Sequence, residues 1–173
     1  LFSVQPDVDE ATGDLTYTPA ANTSGSATVT VSISDDGGTA NGGDDTSPDQ
    51  TFTITVNAVN DEPTASDNTL TTLEDTDLNI ATADFGYNDP ESDVLDHVEV
   101  NTAPATGTLF NDANGNGIAD DAAETLTAGE TISKADLDAG QLKFKPVADE
   151  NGASYTTFDF RVNDGTDYSV AAY

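Results

Sequence analysis

Apolar and polar residues alternate along three stretches of the chain. Val29, Val31 and Ile33 alternate with Thr28, Thr30, Ser32 and Ser34. Phe52, Ile54 and Val56 alternate with Thr51, Thr53 and Thr55, and Phe158, Phe160 and Val162 with Thr157, Asp159 and Arg161. A period of two sends successive side chains to opposite faces, so each stretch predicts an antiparallel strand with one buried face. Threonine suits the exposed face because its branched Cβ fits the pleat. Weaker alternation predicts strands over residues 15–18, 64–72, 78–81, 95–100, 107–110 and 142–145. One short helix is expected, with Ser133 as its cap, Asp136 near the positive end of its dipole and Gly140 ending it. A plain turn there is the alternative.

An internal repeat sets the predicted organisation. Gly13-Asp14-Leu15-Thr16-Tyr17-Thr18-Pro19 matches Gly140-Gln141-Leu142-Lys143-Phe144-Lys145-Pro146 at an offset of 127 residues (140 minus 13). The match continues through Ala21/Ala148, Asn22/Asp149 and Gly25/Gly152. After a two-residue insertion, Val29, Val31, Ile33 and Asp35 match Phe158, Phe160, Val162 and Asp164 at an offset of 129 (158 minus 29). Strand faces alone align by chance; Gly, Pro, Gly and Asp at fixed places do not. About 127 residues is the size of one β-sandwich with an insertion. The 173-residue chain therefore holds less than one and a half such units. Residues 1–58 read as the last strands of one unit, 59–63 as a linker, and 64–173 as a second unit. The counterpart of the strand at 51–56 would fall after Tyr173, so both units are expected to carry an open sheet edge. The chain begins at Leu1 and reads as a piece of a longer protein.

Charge narrows the function classes. Four Lys and Arg stand against 33 Asp and Glu, a formal net charge of −29. All four cations lie late, at Lys134, Lys143, Lys145 and Arg161. Binding nucleic acid needs Lys and Arg facing phosphates, and an anionic membrane surface makes the same demand. Both are excluded as partners. No apolar run approaches the roughly 20 residues of a membrane span. There is no Cys, so disulfides, thiolate chemistry and Cys-based zinc sites are out. So many carboxylates repel one another in a compact state unless cations neutralise them. Bound cations or a very salty solvent would both serve.

The joint Val59-Asn60-Asp61-Glu62-Pro63 resembles the linker of cadherin-like repeats, where an Asn-Asp pair and a following Pro connect consecutive sandwiches. Ser34-Asp35-Asp36-Gly37-Gly38 and Asn163-Asp164-Gly165 resemble the Asp-Gly segment after the penultimate strand of such repeats. Asp149-Glu150 with Tyr155 is similar to the acidic triplet that precedes that strand, and Glu74-Asp75 stands where these repeats carry a Glu near the end of the first strand. Nearly the whole chain resembles the cadherin-like tandem repeats of large bacterial surface adhesins and secreted proteins. The departures are Ala58 where animal cadherins carry Asp, Glu62 in place of Asn, and no Arg in the acidic triplet. The resemblance implies an all-β fold of tandem, Ig-like, Greek-key sandwiches, Ca²⁺ between repeats, and an extracellular or cell-surface location. Homophilic adhesion does not carry over.

Ca²⁺ takes six to eight oxygen ligands in loose geometry, which Asp, Asn and loop carbonyls supply. If Pro63 starts the first strand of a sandwich, the loop holding Asp89, Glu91 and Asp93 returns to the same end. So does the loop after the penultimate strand, with Asp164, and Asn60 and Asp61 enter there. These six residues are the expected joint site, with solvated acidic loops as the alternative. Glu74, Asp75, Asp149 and Glu150 should meet at the other end. A third candidate is the loop at 112–120, with Asp112, Asn114, Asn116 and Asp120 at positions 1, 3, 5 and 9 of a calcium-loop pattern and Gly117 at position 6. Its position 12 is Ala123, with Glu124 one place late. A Gly/Asn-rich turn uses the same residues for their backbone freedom, so both readings stay open.

His97, the single histidine, alternates with Val98 and Val100 and is expected to face solvent without a catalytic role. Tyr87, Tyr168 and Tyr173 are the best candidates for sugar stacking, with packing at sheet edges as the plainer reading. Carboxylate pairs suited to glycoside hydrolysis can be drawn anywhere in so acidic a chain. The expected function is therefore not enzymatic. It is a calcium-rigidified extender segment whose partners are neighbouring repeats of the same chain. Alternatives are a carbohydrate-binding module and a filament subunit assembled by strand exchange between identical chains.

Overall fold

The structure is a computed structural model and describes residues 1–119 and 123–173. It is built almost wholly of antiparallel strands, with one five-residue α-helix and two turns of 3₁₀ helix among the described residues. The chain divides into two compact units, Leu1–Val59 and Asn60–Tyr173.

The first unit contains β1 (Phe2–Val8), β2 (Leu15–Pro19), β3 (Gly25–Val31) and β4 (Gln50–Val56). β1 pairs with β2 and β3 with β4, as two separate two-stranded sheets. The β3–β4 register is unbroken from Gly25↔Val56 to Val31↔Gln50, as the Thr/apolar alternation of both strands predicts. β1 was not expected. Its pairing shifts register between Phe2 and Val4 and between Val4 and Asp7, and it contains Pro6, which has no N–H to offer a ladder. At the β1–β2 turn, Asp9 Oδ1 accepts from the Ala11 and Thr12 N–H groups at 2.8 and 2.9 Å. The apolar faces stay thinly covered. Ile54 is the sole buried residue of this unit, and Ile33 is 78% exposed.

The second unit contains β5 (Leu78–Asn79), β6 (His97–Thr102), β7 (Thr108–Asn111), β8 (Thr131–Ser133), β9 (Leu142–Lys145) and β10 (Asp159–Asn163). They form two three-stranded sheets, ordered β10-β6-β8 and β5-β9-β7. One core joins them: Val98, Val100, Ile132, Phe160 and Val162 from the first sheet meet Leu109, Leu142 and Phe144 from the second. Phe85, on a 3₁₀ turn at Thr82–Phe85, packs edge-on against Phe160 with ring centroids 4.8 Å apart. The helix α1 (Lys134–Asp138) starts as the sequence predicts. Ser133 Oγ accepts from the Asp136 N–H at 3.1 Å, and Leu137 drops into the core. Gly107 lies at φ +80°, where a Cβ would come within 2.4 Å of the Phe144 ring.

Two expectations change. The segment 64–72 makes a single bridge, Thr64↔Asn88, and then runs on without a strand partner. There Asn68 turns its side chain onto the Thr69 N–H and the Asp84 carbonyl, local bonds that compete with a ladder. His97 does not simply face solvent. It is half-buried, with Nδ1 2.7 Å from Asp96 Oδ2 and Nε2 2.7 Å from the Tyr168 hydroxyl. Tyr168 also lies under the Arg161 guanidinium, 5.0 Å from its ring centre, which draws residue 97 against its neighbours.

The repeated motifs fold alike. Gly13 and its mate Gly140 have φ +77° and +73°, and Asn22 and its mate Asp149 have φ +53° and +59°. The Ser47 N–H donates to the Ile33 carbonyl at 2.8 Å, and the Ser169 N–H donates to the Val162 carbonyl, also at 2.8 Å. In return the Ile33 N–H reaches Ser47 Oγ at 2.9 Å and the Val162 N–H reaches Ser169 Oγ at 3.3 Å.

Candidate functional site

At one end of the second unit, three segments far apart in sequence meet. Asn60 Nδ2 donates to Asp164 Oδ2 at 3.0 Å and to Asp167 Oδ2 at 3.1 Å. The Asp61 N–H donates to Glu91 Oε2 at 3.1 Å. In the loop after the Thr64↔Asn88 bridge, Asp89 Oδ1 accepts from the N–H groups of Glu91 and Asp93, both at 2.9 Å. Asp89 thus closes its own loop, as Asp does in turns. The hairpin after β10 is closed likewise: Asp164 Oδ1 accepts from Thr166 and Asp167 at 2.6 and 2.7 Å. The structure therefore brings together Asn60, Asp61, Asp89, Glu91 and Asp164. Asp93 joins through its backbone, whose carbonyl accepts from the Tyr87 hydroxyl at 2.9 Å. Asp167 belongs to the group and was not nominated from the sequence. Its signal was its place three residues after Asp164, where a turn brings it back.

The electrostatics reflect this crowding. Burial, followed by the charges of Asp89, Asp164 and Asp93, pushes the Tyr87 hydroxyl up to about 12. Burial also pushes Asp164 up, but the Asn60 amide and the Asp167 and Thr166 N–H groups outweigh it and hold the carboxyl below its ordinary value. Asp89 is only 9% exposed, and its Oδ2 is buried with no hydrogen-bond partner.

Among the described residues, no group of three or more His, Cys, Asp or Glu side chains is arranged to hold a metal ion. The chemistry of the donor set still fits a hard cation. Every side-chain acceptor here is a carboxylate or amide oxygen, and the unpartnered Asp89 Oδ2 lacks the donor or cation that a buried carboxylate oxygen requires. Glu91, Asp164 and Asp167 are the other carboxylates that the hydrogen bonds bring to this end of the unit, and Asn60 would present its Oδ1 in place of its Nδ2.

The second acidic group also assembles. The Asp149 N–H donates to Asp75 Oδ1 at 3.0 Å, and Asn151 Nδ2 donates to Glu74 Oε2 at 2.8 Å. Glu150 Oε2 accepts from the Tyr155 hydroxyl at 2.8 Å. These carboxylates are exposed and are met by N–H and O–H donors.

The loop at 112–120 shows different chemistry. Asp112 is buried and ion-paired with Lys143, and the Gly117 N–H donates to both of its oxygens at 3.1 Å. The Lys143 ammonium holds the Asp112 carboxyl below its usual value despite burial. Asn114 Oδ1 accepts from the Asn116 N–H at 2.8 Å and Asn116 Oδ1 from the Ile118 N–H at 2.7 Å, the bonds of successive tight turns. Asp120 lies outside the described residues. Unpartnered oxygens occur one step away: Glu124 is 6% exposed with a buried Oε2 lacking a partner, and Asn111 Oδ1 is in the same condition. These two residues face each other, since the Asn111 N–H donates to the Glu124 carbonyl at 2.8 Å. Asn111 carried no sequence signal, and Lys143 was not foreseen as the partner of Asp112.

The three tyrosines considered for sugar stacking are engaged within the fold. Tyr87 bonds Asp93, Tyr168 bonds His97, and Tyr173 lies 5.9 Å from the Phe160 ring. Among the described residues no helix is long and apolar enough to cross a membrane. Compared with protein-family models, curated proteins and solved structures, the chain matches none.

Proposed function

We propose that this chain is a non-catalytic extender segment of a long extracellular adhesin or surface protein, built of tandem Greek-key, cadherin-like sandwich units and rigidified by Ca²⁺. The observation that carries the reading is the meeting of Asn60 with Asp164 and of Asp61 with Glu91, which belongs to the loop whose Asp89 carries a buried, unpartnered oxygen. Asn60 directly follows the first compact unit, so a cation that fixes it also fixes the path by which the chain enters the second. Asp89, Glu91, Asp164 and Asp167 would hold the ion with Asn60, and the ion would supply the positive charge that a chain of net charge −29 lacks. Extracellular calcium modules bind with Kd of about 10⁻⁴–10⁻³ M.

Isothermal titration of the full chain with CaCl₂ tests the reading. The expected result is binding in that range, weakened about tenfold or more by Asp89→Asn. Equal binding by the variant would place the ions elsewhere, and no binding below about 10 mM would remove calcium from the account.

A further inference from the structure

On its edge away from β9, the strand β7 has a short partner. Phe110 bridges Thr125, the Leu126 N–H donates to the Leu109 carbonyl at 2.8 Å, and the Asn111 N–H donates to the Glu124 carbonyl at 2.8 Å. This antiparallel register sets Leu109 opposite Leu126 and Asn111 opposite Glu124. Directly opposed residues share one face of the ribbon, with Cβ atoms about 4.5–5.5 Å apart. Leu109 and Leu126 both belong to the core of the second unit, so Asn111 and Glu124 stand on the same core-facing side, one row further along. Toward β9, Asn111 is opposite Leu142, another member of that core.

This row therefore carries a carboxylate among apolar neighbours. Glu124 is buried and its Oε2 has no hydrogen-bond partner, and Asn111 Oδ1 is likewise buried without one. Two buried acceptors on one face with no donor between them repel, and an ionised carboxylate is costly to bury unpaired. The cations of this ladder are turned away. Lys145 and Lys143 stand opposite Thr108 and Phe110 and so leave the other face, where Lys143 pairs with Asp112. Asp112 opens the calcium-loop pattern, and the Lys143 ammonium already serves it as cation. The oxygens that lack a positive partner belong instead to Asn111, where the chain leaves β7, and to Glu124, where it returns.

We propose that Asn111 Oδ1 and Glu124 Oε2 anchor a Ca²⁺ ion, at a site separate from the one at Asn60 and Asp89. Both donors are hard oxygens, and main-chain carbonyls and water complete the six to eight that Ca²⁺ takes. A net charge of −29 attracts a divalent ion more strongly than a monovalent one. The ion pins the end of β7 to the segment that returns beside it. With one carboxylate the site belongs at the weak end of the extracellular range, a Kd of about 10⁻³ M.

Nitrogen–proton correlation spectra of the full chain, titrated with CaCl₂ in the Asp89→Asn background, read this site alone. The joint is read separately, at the Asn60 side-chain amide of the parent chain. The Asn111 side-chain N–H₂ and Thr125 N–H resonances should move saturably with calcium. NaCl at matched ionic strength should not move them. Glu124→Gln should abolish the movement, and Asn111→Asp, which adds a carboxylate, should tighten binding at least threefold. Resonances that stay fixed up to about 10 mM Ca²⁺, or that move equally in Glu124→Gln, overturn the site. Equal movement with sodium overturns calcium as its occupant. A direct hydrogen bond from Asn111 Nδ2 to Glu124 would make Asn111→Asp less stable and no tighter for calcium, and that result also overturns the site.

Discussion

Asn60 and Asp164 stand 104 residues apart in sequence, and the Asn60 side-chain amide donates to the Asp164 carboxylate at 3.0 Å. This bond ties the start of the second compact unit to the hairpin that follows its β10 strand. It also holds a carboxylate beside Asp167, where a second acceptor shares the same N–H₂ group at 3.1 Å. The arrangement gathers negative charge at the point where the chain enters the unit, where a bound Ca²⁺ would neutralise it.

Tyr87 reports on the site without taking part in it. Its hydroxyl titrates at about 12 because burial and the charges of Asp89, Asp164 and Asp93 all oppose the phenolate. A cation bound among those carboxylates should lower that value, and so should Asp89→Asn, which removes one of the charges. Ultraviolet difference titration of the chain against Tyr87→Phe, with and without Ca²⁺, isolates this transition. A Tyr87 value unmoved by saturating calcium would place the ion away from Asp89 and Asp164.

Acid should act on the Asp112–Lys143 pair. The folded pKa of Asp112 lies below its ordinary 3.8, so the pair contributes stability that is present above that value and lost as pH falls through the lower, folded one. Lys143→Met removes the largest cause of the depression. The variant should have a lower Tm at pH 7 and lose less of its stability between pH 5 and 2 than the parent. Circular dichroism melts across that range check the sign, and parallel curves would show that Lys143 does not set the Asp112 titration.

The repeat mates Ile33 and Val162 occupy equivalent hairpin positions but opposite environments, 78% and 0% exposed. Val162→Ala should cost about 2 kcal/mol, from two methyl groups at roughly 0.8 kcal/mol each and the cavity they leave. Ile33→Ala should change stability by no more than about 0.5 kcal/mol. Urea unfolding followed by tyrosine fluorescence compares them. Equal costs would mean that Ile33 is covered in solution.

Glu124 carries a buried oxygen with no hydrogen-bond partner. Glu124→Gln replaces that oxygen's carboxylate by an amide, whose N–H₂ group can donate where the carboxylate only accepts. In EDTA the variant should be more stable by about 1–3 kcal/mol, the range of an unsatisfied buried polar group. A less stable variant in EDTA would show that the Glu124 carboxylate is already satisfied.

Strands with strict alternation were legible in the sequence, because burying one face of a pleated ribbon requires it. The β3–β4 pair and β10 follow from Val29, Phe52 and Phe160 with their Thr and Asp neighbours. The α1 helix was legible from Ser133 and Gly140 alone, since a cap and a left-handed stop are local chemistry. β1 was not, because Pro6, which has no N–H for a ladder, interrupts the alternation of Phe2–Val8 and argues against a strand there. β8 has three residues and one buried side chain, Ile132, too few to show a period. The candidate site was legible where acids are drawn together by topology, as with Asp61, Asp89 and Asp164. It was not legible where a long side chain decides, as with Lys143 reaching Asp112 from another strand.

The most direct test of the calcium account is thermal melting of the full chain in EDTA and in 1 mM Ca²⁺ at constant ionic strength, which separates calcium from general screening of the −29 charge. At a Kd of about 10⁻⁴ M and ~1 mM free calcium, one site adds RT ln 11, about 1.4 kcal/mol, and further sites add to it. For the 114-residue second unit (residues 60–173) a stabilisation of that size raises Tm by roughly 5–10 °C. A rise of that order is expected in calcium, not reproduced by sodium at matched ionic strength and reduced by at least half in Asp89→Asn/Glu91→Gln. A Tm that follows ionic strength alone, the same in EDTA and in calcium, would contradict it.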